Sequence, residues 1–138
     1  MTLSNLKRAP AGFHIVTKNT IDCQDNYCDN DYPEELVPTI NFNLFDANQN
    51  IDIGYVVLVK TARGAYETHS EIERKYRGQG LGTILYAKAF HYGLNHKLKI
   101  VSSLNPSKYA QRVWNSRFIR NQFMIVFRSQ RYFVYGRK

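Results

Sequence analysis

The segment Arg77-Gly78-Gln79-Gly80-Leu81-Gly82 constrains this chain more than any other. Before it, Ala65 to Ile72 reads as a strand. After it, Leu81, Ile84, Leu85, Ala89 and Tyr92 recur at helical spacing. A strand that passes into a helix through glycines commits the chain to a mixed α/β fold. Gly93 is read as the helix stop, since glycine commonly sits just past a last turn. Tyr86 and Phe90 add apolar surface on a second side, which predicts a well-buried helix.

The remaining elements follow from period and turn chemistry. Gly12–Thr17 reads as a first strand, and Asp22 to Glu35, acidic and holding Pro33, as a loop. Thr39–Phe45 and Ile51–Lys60 form a hairpin around Asp46–Asn50, and Ala62-Arg63-Gly64 turns into the third strand, Ala65–Ile72. Leu98–Ser102 is a short strand. Asn105-Pro106 is read as the start of a helix of about three turns through Trp114, with Asn as cap and Pro in the first position. Phe123–Arg128 and Arg131–Tyr135 close the pattern as a hairpin around Ser129-Gln130.

A length of 138 residues suits one domain over residues 1–138, and 14% aromatic content argues against disorder. The longest apolar runs, Tyr55–Val59 and Phe123–Phe127, fall far short of the roughly 18 residues of a membrane helix, and no signal peptide is visible. A soluble, cytoplasmic protein with no membrane partner is expected. Cys23 and Cys28 lack a second ligand pair nearby, so they read as free thiols and no metal site is expected.

Charge divides the chain. Residues 1–73 hold all eleven acids against five bases, net −6, whereas residues 74–138 hold fourteen bases and no acid. A basic half suits a polyanion, which includes both nucleic acid and the 3′-phospho-ADP of coenzyme A.

The glycine segment has a physical reason to bind phosphate. The first N–H groups of a helix lack internal partners and, with the dipole, face an anion. Glycine lets the backbone come close, Arg74 and Arg77 add charge, and Thr83 adds a hydroxyl. A Walker loop would need Lys-Ser or Lys-Thr where Thr83-Ile84 stands. A dinucleotide fingerprint would need an acid about 20 residues on, and none follows Glu73.

Tyr76-Arg77-Gly78-Gln79-Gly80-Leu81-Gly82 resembles motif A of the GNAT superfamily of N-acetyltransferases, Gln/Arg-x-x-Gly-x-Gly/Ala. Ile72 fits the apolar end of that family's fourth strand, and Ser107-x-x-Ala110-x-x-x-Trp114 is similar to its Asn-x-x-Ala-x-x-x-Tyr helix. The likeness covers about Tyr55 to Ile119. The wording Ala-Gln-Arg-Val-Trp also looks like small GNAT-like proteins of bacteriophages, which would place the chain in a host cytoplasm.

The resemblance implies a mostly antiparallel sheet of about six to seven strands flanked by helices. It implies acetyl-CoA as co-substrate, its pyrophosphate on the N–H groups of Gln79, Gly80, Leu81, Gly82 and Thr83, beside Arg77 and Gly78. The pantetheine arm would lie between the strand ending at Ile72 and Ile100–Ser102, near Ser107. A backbone N–H near Ile72 would polarise the acetyl carbonyl.

Acetyl transfer to an amine, mostly protonated at neutral pH, also calls for a base. Glu67, His69 and Glu71 are the candidates in that order, on one face of their strand unless a bulge swaps faces midway. The family often has a Tyr as leaving-group acid where Trp114 stands. An indole N–H has no useful acidity, which leaves Tyr109 or solvent. The acidic loop would suit a cationic acceptor such as a lysine side chain or polyamine. The leading expectation is transfer of acetyl to a primary amine. Two alternatives are a catalytically weak binding or inhibitor protein on this scaffold, and a basic nucleic-acid module using aromatics such as Phe118, Phe123, Tyr132 and Tyr135. A homodimer is compatible with all three.

Overall fold

The computed structural model describes residues 12–20 and 38–138. The acidic stretch Asp22–Glu35, with Cys23 and Cys28, lies outside the described residues. The chain runs β1 (Phe13–Thr20), β2 (Thr39–Asp46), β3 (Ile51–Lys60), β4 (Tyr66–Ile72), a 3-10 turn (Arg74–Tyr76), α1 (Leu81–Asn95), β5 (Ile100–Ser102), α2 (Lys108–Trp114), α3 (Arg117–Gln122), β6 (Phe123–Arg128) and β7 (Arg131–Arg137). Among the described residues, seven strands form one sheet in the order β1-β2-β3-β4-β5-β7-β6. Every neighbouring pair is antiparallel except β4 and β5, which run parallel. A parallel pair needs a crossover, and α1 supplies it.

The alternation read from β2 places Ile40, Phe42 and Leu44 in the core, where they meet Val56 and Leu58 of β3. Helix α1 covers them with Leu85, Tyr86, Ala89 and Phe90, and it is buried on more than one side, as its composition predicts. Trp114 completes this core. It is fully enclosed, stacked on Tyr132 at 5.4 Å between ring centroids and lying against Phe90 at 4.7 Å. Phe123 and Tyr132 are core side chains too, Phe118 packs against them, and Tyr135 is exposed. Most aromatics of the basic half are therefore used for packing.

Three local expectations are corrected. Gly93 lies inside α1, which runs two residues further. Its missing Cβ makes room for the Ile100 side chain, so a packing contact rather than a turn requires the glycine. The next helix begins at Lys108 with Ser107 as cap, its hydroxyl accepting from the Ala110 N–H. Asn105 instead takes a positive φ of 50°, which places it in a turn ahead of Pro106. That helix is seven residues long, and a second short helix, α3, capped by Ser116, follows it. The β3–β4 register, by contrast, is unbroken, so β4 has no bulge and Glu67, His69 and Glu71 lie on one face of it. The irregularities lie where β2 meets β3, with Ile53 as the extra residue, and where β6 meets β7. Among the described residues no helix is long and apolar enough to cross a membrane, and no cluster of His, Cys, Asp and Glu is suited to a metal.

Candidate functional site

The glycine segment is tied down before the helix starts. Tyr76 sends its hydroxyl to the buried Asp46 carboxylate at 2.9 Å, fixing the 3-10 turn to the end of β2. Arg77 folds back, its Nε donating to the Ile72 carbonyl at 2.8 Å. Gly78 and Gly80 then take φ of 84° and 79°, the left-handed region that a side chain disfavours. Among the described residues a Cβ would meet nothing at Gly78 and only the Thr83 hydroxyl, at 3.8 Å, at Gly80, so conformation rather than crowding calls for glycine there.

Among the described residues no side chain caps the first-turn N–H groups of helix α1, and the first turn itself contains no acid. The Thr83 hydroxyl does not supply a cap either. It donates to the Gly80 carbonyl at 2.8 Å. Uncapped N–H groups beside exposed Arg74, Lys75 and Arg77 form a cradle suited to an anion. Gln79 is exposed here, whereas the Leu81 side chain turns into the core and only its backbone faces the cradle.

Tyr109 reaches the cradle from α2. Its hydroxyl abuts Gly82, where a Cβ would collide with it, and the Arg77 guanidinium lies over its ring at 5.2 Å. Burial pushes the Tyr109 phenol up, opposed by the charges of Arg77 and Arg112.

A gap opens beside the cradle because β5 is short. The Tyr66 N–H bonds to the Lys99 carbonyl, so in an unbulged β4 the N–H groups of Thr68, Ser70 and Ile72 point the same way. Pairing with β5 stops at Thr68 opposite Ser102. Ser70 and Ile72 therefore aim their amides into a space beyond the end of β5, with no strand beside it among the described residues. A cleft of about 240 Å³ occupies the Ser70 end of that space, walled by Thr68, His69 and Ser70 of β4, Ser102 and Ser103, Tyr55, Tyr86 of α1, and Pro106, Ser107, Ala110 and Trp114.

The base candidates separate in this geometry. His69 lines the cleft, and its Nε2 lies 3.0 Å from Glu67 Oε1. The other Glu67 oxygen takes a hydrogen bond from Arg131 at 3.3 Å. The hydrogen bond from His69 holds the Glu67 carboxyl below its ordinary range. Partial burial opposes this, and the nearby Arg131 charge reinforces it. Glu71 is exposed.

Three contributors escaped the sequence reading. Ser70 and Tyr86 meet across the cleft at 2.5 Å between hydroxyl oxygens, and burial pushes the Tyr86 phenol up to about 12. Arg131 reaches Glu67 from 64 positions along the chain. No local period or spacing signals either contact.

The sequence model of the Acetyltransferase (GNAT) family matches residues 17–118. No curated protein is similar enough in sequence to match. Among solved structures, the fold is similar to one assigned as an acyl-CoA N-acyltransferase of Klebsiella pneumoniae, with TM-score 0.55 and 13% identity over 87% of this chain and 94% of that one. It is also similar to the ribosomal-protein-S5-alanine acetyltransferase of Vibrio fischeri, with TM-score 0.51 and 13% identity over 72% of this chain and 61% of that one. A third likeness is to a structure assigned as a streptothricin acetyltransferase of Bacillus anthracis in complex with acetyl coenzyme A, with TM-score 0.50 and 16% identity over 97% of this chain and 92% of that one. These likenesses describe the fold, and the chain spans less than two thirds of the Vibrio protein. With the family match covering most of its length, the chain belongs to the GNAT family of acetyltransferases.

Proposed function

We propose that the chain transfers an acetyl group from acetyl-CoA to a primary amine. The observation that carries this reading is the junction of the uncapped α1 cradle with the β4–β5 gap. A ligand with a pyrophosphate at one end and a thioester at the other suits that junction. The donor atoms also suit coenzyme A. The cradle offers N–H groups and arginine to phosphate, and the cleft offers backbone amides and hydroxyls to an amide-bearing arm. The acetyl coenzyme A complex of the Bacillus anthracis relative supports the same co-substrate here.

In this reading the Ile72 N–H, aimed into the gap, donates to the acetyl oxygen as it gains charge. His69 accepts the proton of the attacking amine. Glu67, held anionic by His69 and Arg131, orients the imidazole and steadies its charge. Glu71 adds negative charge at the exposed end of the strand and favours a cationic acceptor: a protein lysine, an N-terminus or a small polyamine.

Calorimetry with acetyl-CoA tests the core of the reading. Wild type should bind, Arg77→Ala more weakly, and Gly80→Val least. Absence of wild-type affinity sinks it. Mass spectrometry of a lysate incubated with labelled acetyl-CoA would then identify the acceptor, whereas binding without transfer to any amine would favour a non-catalytic scaffold.

A further inference from the structure

Transfer of the acetyl group leaves a thiolate, and the structure bears on which group receives it. Trp114 has no acidic proton, and aromatic packing encloses it. Tyr109 is taken up at the cradle against Gly82 and Arg77, and it does not line the cleft. The wall of the cleft nearest Trp114 has another phenol. Tyr86 extends from the second turn of α1, its ring edge-on to the Trp114 indole at 6.1 Å, and its hydroxyl meets Ser70 at 2.5 Å.

These groups form an excess of donors. Tyr86, Ser70 and Thr68 carry three hydroxyl protons between them, and the hydrogen bonds that Ser70 and Thr68 make with Tyr86 use two. The Trp114 indole N–H is buried with no acceptor among the described residues. The Ser70 amide also points into the gap, where no β5 residue stands opposite it. A buried donor without an acceptor, as the Trp114 N–H is, is costly, and an anionic guest relieves it.

We propose that the Tyr86 hydroxyl, oriented by Ser70 and seconded by the Trp114 N–H, is the hydrogen-bond donor to the departing sulfur. The inference rests on the acetyltransferase reading above. The amine lone pair attacks the thioester carbon, the N–C bond forms, and the C–S bond breaks with its electron pair on sulfur. The amine proton passes to His69, and the thiolate later takes a proton from water. Tyr86 keeps its own proton throughout. Burial supports that role, because a phenol pushed up to about 12 does not surrender its proton to a thiolate whose acid ionises near 8.5. Tyr86 is therefore a donor that stays neutral rather than an acid that turns over.

The test titrates coenzyme A bound to the intact protein and follows thiolate absorbance against pH. In wild type the bound thiol should ionise about one pH unit or more below free coenzyme A, a tenfold stabilisation of the thiolate. Tyr86→Phe should lose most of that shift, and Ser70→Ala part of it. Replacement of Tyr86 by 3-fluorotyrosine, which keeps the shape and strengthens the donor, should lower the bound thiol further. If coenzyme A binds but its ionisation is the same in wild type, the Phe variant and the fluorinated protein, the proposal is overturned and the acetyltransferase reading stands. If Tyr109→Phe abolishes the shift and Tyr86→Phe does not, the donor is Tyr109. If wild type does not bind coenzyme A, both readings fall together.

Discussion

Glu67 is the residue on which two separated parts of the sheet converge, His69 from its own strand and Arg131 from β7. Its carboxyl ionises below the ordinary glutamate value of about 4.3. A depressed folded value stabilises the protein at pH above the unfolded value, and that contribution is lost as pH falls through the folded value. Acid unfolding of Glu67→Gln should therefore be flatter below about pH 4.3 than that of wild type, which denaturant titrations at several pH values would measure. Tyr86 has the opposite sign. Its folded value is raised, so stability erodes as pH climbs from about 10, the free phenol value, toward about 12, and Tyr86→Phe should blunt that alkaline loss.

At the scale of elements, α1 and the last hairpin give separate tests. Propensity alone says that Gly93→Ala stabilises a helix by about 1 kcal/mol. The Ile100 side chain occupies the place of that Cβ, with its Cγ1 only 2.9 Å away, so the substitution should instead destabilise by about 1–3 kcal/mol in urea. The β6–β7 turn has Ser129 and Gln130 at φ of 51° and 67°, a geometry that favours Asn-Gly. Gln130→Gly should raise stability by about 1 kcal/mol, read from the same titration. Both cases show what a sequence makes legible. The cradle could be read because it is local: a strand, glycines that take positive φ, and a helix follow one another directly. The hairpins were legible for the same reason. Gly93 looks like a helix stop in the sequence because its reason for being glycine, a contact with Ile100 of a different element, is not local. The start of α2 is ambiguous in the sequence because Asn105 and Ser107 are both good caps, and only the path of the chain selects Ser107. The Glu67–Arg131 and Ser70–Tyr86 pairs join residues 64 and 16 positions apart, where no periodicity can point.

Across the whole molecule, charge and strand order matter together. The cradle, with Arg74, Lys75 and Arg77, and the exposed Lys108 and Arg112 of α2 belong to the acid-free half of the chain. Acetyl-CoA binding should weaken several-fold as salt shortens the Debye length from about 30 Å at 0.01 M to about 8 Å at 0.15 M, which calorimetry at the two ionic strengths would measure. Strand order has a further result. The last of the described strands, β7, does not lie at the sheet edge. It sits between β5 and β6, and it supplies both the antiparallel partner of β5 and Arg131. A chain stopped at Gln130 should therefore lose the β5 side of the cleft, seen as rapid amide exchange in Ile100–Ser102. During synthesis this has a direct meaning. At roughly 5–20 residues per second, the ribosome delivers the cradle seconds before the strand that braces the cleft wall. A nascent chain can fold its first hairpins while still tethered, but its cleft waits for residues beyond 131 to clear the exit tunnel.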